Sequence, residues 1–149
     1  MSTTYLFLFV ALVAGAMMPI QAALNNRMAV AIESPILAAL ISFLVGTLSI
    51  IIYAVISGES LSAIATARNA PAIAWAGGLL GAFFVTATVI LLPRLGVAMT
   101  FSLVIAGQML VTLVVDHFGL LGVPVKPVNF ARIGGIALIT GGVILIRKF

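Results

Sequence analysis

The chain has 149 residues, 64% of them hydrophobic and only 7% charged, whereas soluble domains average roughly 45–50% and about 25%. Such a small share of polar residues cannot cover the water-facing surface of a soluble fold. The composition therefore excludes a soluble domain and predicts an integral membrane protein. With no cysteine, one histidine, three acidic residues and scattered basic residues, we expect no metal, no cofactor, no catalytic residue and no nucleic-acid partner.

Five apolar segments are long enough to span a membrane, which takes about 20 residues. The start of the chain has no Lys or Arg, which argues against a cleaved signal peptide, so we expect the first segment to be retained. We therefore predict an all-α polytopic membrane protein in which residues 1–149 form a single transmembrane domain. The predicted spans are about residues 5–24, 35–56, 72–92, 97–115 and 130–146.

The segments between the spans have recognisable boundaries. Ser34 before Pro35 predicts the N-cap of the second helix. Residues 59–71 are expected to form a loop or a short surface helix, and residues 93–96 a tight turn, while residues 116–129 form the last loop.

Small residues four positions apart predict close helix–helix contacts, because lipid offers no hydrophobic drive for helix association. Such pairs are Gly77 with Gly81 in the third span and Ala137 with Gly141 in the fifth. Glycine is also common in membrane helices that make no such contact, so both interpretations of each pair stand.

The basic residues give no clear orientation signal. Three lie on the side of the N-terminus and four on the other side: Arg68, Lys126 and Arg132 against Arg27, Arg94, Arg147 and Lys148. Because the Lys/Arg bias of short loops sets orientation, the chain inserts either one way through other features or both ways. Insertion both ways would allow an antiparallel homodimer, whose ten helices could surround a pathway that five helices barely enclose.

Polar residues mark the end of the first span. Gln21 and Asn25 share one helix face, and Pro19 just before them predicts a kink that frees a carbonyl group nearby. They are candidates for solute binding; the alternative is that they only hydrogen-bond a neighbouring helix. Ser42 and Ser49 in the second span are expected to bond back to their own helix.

The fourth span has a clearer polar stripe, in which Gln108, Thr112 and Asp116 follow at four-residue steps. Gln108 lies near mid-span, where an amide needs a partner, so it is a candidate for solute binding with Thr112. Asp116 and His117 are candidates for proton coupling, the alternative being an interfacial pair that ends the helix in water. Trp75 is either a membrane-interface anchor or a solute-stacking residue.

Several stretches resemble one known family, the YdcZ-like small membrane proteins of the drug/metabolite transporter superfamily. They are GAMMPIQAALNNRMA, SPILAALISFLVGTL, WAGGLLGAFFVTATVILLPRLGVAMTFSLVIAGQML, DHFGLLG and RIGGIALITGGVILI, which together cover essentially the whole chain. The family's motif positions fall here on Gln21, Asn25, Trp75, Gly77, Gly78, Gly81, Gly107, Gln108, Asp116, His117 and Gly119.

The resemblance implies a five-helix exporter of the inner membrane, similar to half of a ten-helix transporter of the superfamily. The four-helix multidrug members use a glutamate in the first helix. The first span here holds no acidic residue, so their coupling mechanism does not carry over.

Three hypotheses follow. The first is a secondary transporter that exports a small solute as an antiparallel homodimer in contact with membrane lipid. The second is a non-transporting membrane subunit that assembles with a partner chain. The third and weakest is an intramembrane enzyme, which lacks a nucleophile–base pair in this sequence.

Overall fold

The computed structural model describes residues 3–148, which form five long helices joined by turns and by three short 3-10 helices. The long helices are each long and apolar enough to cross a membrane, and no strand occurs in the described range. The predicted all-α fold with five membrane-spanning helices is confirmed. The helices are α1 (Thr3–Ala31), α2 (Pro35–Ile56), α3 (Ala76–Leu95), α4 (Val97–Phe118) and α5 (Phe130–Lys148).

Two predicted spans were too short at their C-terminal ends. The buried face of α1 continues through Asn25 and Ala29, so packing keeps the helix going to Ala31 instead of ending it at residue 24. α4 continues through the predicted loop start at Asp116 and ends only at Phe118, before the left-handed Gly119.

The turn predicted at residues 93–96 was also too long. Pro93 and Arg94 belong to the last turn of α3, and only Gly96, with φ 77°, separates α3 from α4. Proline has a helix-compatible φ and removes a single backbone hydrogen bond, which helices in membranes tolerate. The predicted polar connection after α2 contains a 3-10 helix, Leu61–Asn69, and another, Ala72–Trp75, leads into α3.

The chain divides into two compact units, residues 1–94 and 95–149; a single transmembrane domain stays a prediction. In the first unit α1 and α2 form a helical hairpin. Its centre is a small cluster in which Ala29 of α1, Ala38 of α2 and Val89 of α3 are buried together. Alanine at two of these positions lets the helices approach closely.

The hairpin turn combines a helix C-cap with a helix N-cap. Glu33 is left-handed, with φ 54°, and the Ser34 amide donates to the Ala29 carbonyl over 3.1 Å, which is the Schellman arrangement. The Ser34 hydroxyl accepts from the Leu37 amide at 3.3 Å, with Pro35 at the first position of α2. The predicted N-cap is confirmed.

In the second unit α4 packs against α5. Thr100 of α4 is buried, and its hydroxyl donates to the Gly96 carbonyl at 2.7 Å. Val143 of α5 is buried as well. The 3-10 helix Leu120–Gly122 and the segment after it join the two helices.

The glycine positions predicted for packing differ from one another. A Cβ at Gly81 would lie 3.6 Å from the Phe43 ring, so α3 meets α2 there at ordinary contact distance. At Gly77 and Gly141 no atom lies within 4 Å of an added Cβ, and Ala137 is exposed. Contacts of these last three stay a prediction.

Replacing Ser34 with alanine should lower the free energy of unfolding by about 1 kcal/mol, because the N-cap acceptor for the Leu37 amide is lost. Thermal unfolding of the purified protein in detergent measures the change. Ser49→Ala is the matched control, since the Ser49 hydroxyl only bonds back to the Val45 carbonyl of its own helix. Equal effects of the two substitutions would contradict the capping role.

Candidate functional site

Gln21 borders two depressions in the surface of the first unit. The first, the α1–α2 groove, has a volume of about 190 Å³ and is lined by Gln21, Ser42, Phe43, Gly46, Thr47, Ile50 and Val85. The second, the α1 hollow, is lined by Met17, Ile20, Gln21, Leu24 and Asn25. The two predicted polar residues of α1 therefore lie beside the same open space.

Small side chains on α2 create the α1–α2 groove. Ser42 and Gly46 are four positions apart, so they share the helix face that looks toward Gln21. A Cβ at Gly46 would have no atom within 4 Å. The groove opens at Gly46, which has no side chain to fill the space between Phe43 and Ile50 of the same helix.

Hydroxyl groups in the α1–α2 groove are not bonded to their own helix. Five other helix hydroxyls bond back to the carbonyl one turn earlier at 2.7–2.9 Å, those of Ser49, Thr88, Thr100, Thr112 and Thr140. Within residues 3–148 the side chains of Gln21, Ser42 and Thr47 have no hydrogen-bond partner. The expected back-bond is thus confirmed for Ser49 and wrong for Ser42.

Asn25 differs from the other buried polar residue of the first unit, Thr88, because its side chain has an unpaired donor. It is 9% exposed, and its Nδ2 atom is buried without a hydrogen-bond partner among the described residues. A buried donor left unpaired costs about 1–3 kcal/mol. The amide therefore favours any conformation or ligand that brings an acceptor to it.

In the second unit a network of bonds ties the loop after α4 to the start of α5; we call residues 116–132 the strap. The Arg132 guanidinium donates from Nη2 to Asp116 Oδ2 at 2.8 Å and from Nη1 to the Lys126 carbonyl at 3.0 Å. The Lys126 amide donates back to the Asp116 carbonyl at 2.8 Å. The ion pair is partly shielded, with 31% of Arg132 and 21% of Asp116 exposed.

His117 and Gly119 complete the strap. His117 Nδ1 accepts from the Val128 amide at 3.2 Å, so the ring carries no proton on that nitrogen. Gly119 ends α4 in the left-handed region, with φ 60°, and a Cβ there would lie 2.7 Å from Val125 Cγ2. The DHFG stretch therefore fixes the course of the loop through both side chains and backbone.

The other predicted residues of the second unit line open surface. Gln108 is exposed on α4, and its side chain has no hydrogen-bond partner within residues 3–148. The Thr112 hydroxyl donates to the Gln108 carbonyl, and Thr112 lines a cavity of about 230 Å³ between α4 and α5 that also reaches Arg132. In the first unit, Trp75 is 63% exposed at the end of the 3-10 helix before α3.

Sequence reasoning missed Ser42, Gly46 and Arg132 as site residues. In a tight hairpin, residues at nearly equal distances from the turn face each other, and Gln21 and Gly46 are so placed about Glu33. The available signal for Arg132 is that it and Asp116 flank the same loop with opposite charges.

Replacing Arg132 with leucine should loosen the strap, because bonds to Asp116 and to Lys126 are lost together. A loss of about 1.4 kcal/mol would speed backbone hydrogen exchange in the loop about tenfold. Exchange of residues 119–129, followed by mass spectrometry, tests this. Arg147→Leu removes the same charge at the other end of α5 and should leave the loop unchanged; similar acceleration in both would contradict the strap.

Comparison with known proteins agrees with this architecture. Residues 6–145 match the model of a family described as "Putative inner membrane exporter, YdcZ". No curated protein and no solved structure matches the chain. The family match confirms the expected inner-membrane location and a role in export across that membrane. Because the match spans nearly the whole chain, the protein belongs to the YdcZ family of inner membrane exporters.

Proposed function

We propose that the protein exports a small solute by alternating access, as an antiparallel homodimer of two oppositely inserted copies. The observation that carries the proposal is the buried, unpaired Asn25 amide beside the α1 hollow, in a chain of an exporter family. The residues that line the solute pathway are Gln21, Asn25, Trp75, Gln108 and Thr112.

Size supports a dimer. The α1–α2 groove of one copy has about 190 Å³ and the adjoining α1 hollow about 430 Å³, but both are open depressions, whereas pockets for drug-sized ligands, of about 300 to 1,000 Å³, bury most of the ligand's surface. Two such grooves facing each other would enclose about 400 Å³, which falls in that range. Only eight apolar and three polar side chains are buried among the described residues, so most of each helix surface is free to meet a second copy or lipid.

Unpaired amides support a pathway within the membrane. Gln21 and Gln108 have no bond partner in the described range, although a polar group in hydrocarbon needs one. Facing water-filled space in the assembled dimer would satisfy each amide. Inverted copies would then present the same residues to both sides of the membrane in turn, as inverted repeats do in larger transporters.

Asp116 and His117 are proposed to couple transport to protons. A proton on the Asp116 carboxylate would remove its charge and weaken the bond from Arg132. A proton on His117 Nδ1 would break the bond from the Val128 amide. Either event releases the strap, which gives proton uptake a structural consequence.

Removing basic residues that lie outside the α1–α2 groove should make the chain insert into the membrane in a single orientation. Arg68→Ala leaves two basic residues against four and should hold the C-terminus in the cytoplasm. Arg94→Ala with Arg147→Ala leaves three against two and should hold it outside. The wild-type chain should show both orientations. C-terminal fusions to a phosphatase that is active outside, and to a fluorescent protein that is active inside, measure the outcome.

Antiparallel pairing is tested by producing the same single-orientation variants together, each with a different affinity tag. Each fixed variant should co-purify with the opposite one and not with a second copy of itself. Co-purification of like with like would contradict antiparallel pairing. A wild-type chain with one orientation and no self-association would instead favour a non-transporting subunit that needs a partner chain.

Export is tested by untargeted mass spectrometry of the medium around cells that produce the chain. A solute exported by the wild type should fall to background with Gln108→Leu and lose its dependence on the proton gradient with Asp116→Asn. Thr140→Val is the control, since the Thr140 hydroxyl only bonds to Ile136 of its own helix. Unchanged export in both test variants would remove these residues from the pathway.

A further inference from the structure

The α1–α2 groove contains no charged side chain. Its polar members are the neutral Gln21, Ser42 and Thr47. Of the acidic residues in this unit, Glu33 lies in the hairpin turn and Glu59 after the end of α2, so neither belongs to a helix that lines the groove.

The adjoining α1 hollow is also uncharged, and Asn25 is its buried polar member. Arg27 follows Asn25 by two positions and Leu24 by three, so it points away from Asn25 and lies exposed beside the rim of the hollow. A cation at Asn25 would therefore meet no opposite charge, and the nearest positive charge for an anion is outside the hollow, in water.

The free energy of desolvation distinguishes charged solutes from neutral ones at such a site. Desolvating an ion without a counter-charge is far more costly than desolvating a neutral polar group that finds a new hydrogen bond. The Asn25 amide offers a donor that is already desolvated and unpaired. A neutral solute with an acceptor atom satisfies this donor, whereas an ammonium group brings only more donors.

The α1–α2 groove beside this amide fits the apolar part of a solute. Phe43, Ile50 and Val85 form its apolar wall beside the open side of Gly46. The groove has about 190 Å³ in one copy, which limits the part of the solute inside it to a small group such as a single ring, while the hollow that contains Asn25 has about 430 Å³.

We infer that the site formed by Gln21 and Asn25 selects small uncharged amphiphiles that carry an amide or hydroxyl acceptor, and discriminates against cations and anions of the same shape. This inference rests on the proposed export function and names the solute class for it.

Three ligands of matched shape test the inference: phenylacetamide, phenylacetate and phenethylammonium at near-neutral pH. Binding to the purified full-length protein in detergent is measured by titration calorimetry and by thermal shift, since a ligand that binds only the folded protein raises its melting temperature. The amide should bind at least about tenfold more tightly than either ion, a difference of about 1.4 kcal/mol.

Variants at Asn25 separate recognition from folding. Asn25→Leu should weaken amide binding about tenfold and yet raise the melting temperature, because an unpaired buried donor has been removed. Asn25→Asp should shift the preference to phenethylammonium. Asn26→Leu, at the next position and outside both depressions, should leave binding unchanged.

Tighter binding of either ion to the wild type would overturn the solute class, and so would the absence of binding by all three ligands. Amide binding that Asn25→Leu leaves intact, or a lower melting temperature in that variant, would overturn the role of the unpaired amide. None of these outcomes bears on antiparallel pairing, which the orientation and co-purification experiments decide separately.

Discussion

Hydrocarbon offers no hydrogen bonds, so each polar group inside a membrane-spanning helix has to find its partner in protein, water or ligand. Most of this chain follows that constraint closely. Several helix hydroxyls, such as those of Ser49 and Thr100, bond to their own backbone, Ser34 caps α2, and Asn129 caps α5 through its bond from the Arg132 amide at 2.9 Å. Gln21, Asn25 and Ser42 differ in that their unpaired side-chain groups lie beside one open surface of the first unit.

The two units use polar residues in opposite ways. In the second unit Asp116 and Arg132 are paired in the strap, where each bond fixes the path of the loop. In the first unit the polar side chains of the α1–α2 groove are neutral and lack partners, while apolar contacts such as Ala29 with Ala38 hold the hairpin. The paired groups of the strap therefore hold a loop in place, whereas the unpaired groups of the first unit keep hydrogen-bonding capacity beside an open surface.

The sequence predicts the elements better than the contacts. Composition and segment length yield all five helices, and Ser34–Pro35 locates the start of α2 because cap chemistry is local. The ends of α1 and α4 lie beyond the predicted bounds because buried packing through Ala29 and the left-handed Gly119 decide them. Gln21 and Asn25 are recognisable as polar groups in apolar spans, but the partner of Asp116 is Arg132, sixteen positions away, and such pairing depends on how the loop closes.

Gly119 is a position at which substitution is more restricted than its burial indicates. Gly119 is only half-buried, which would ordinarily leave a loop position free to vary. Its left-handed backbone strains any residue with a side chain, and an added Cβ would lie 2.7 Å from Val125 Cγ2 and 3.2 Å from the Val123 carbonyl oxygen, so Val125 would have to move. Mutational tolerance at this position is therefore set by backbone conformation and not by burial.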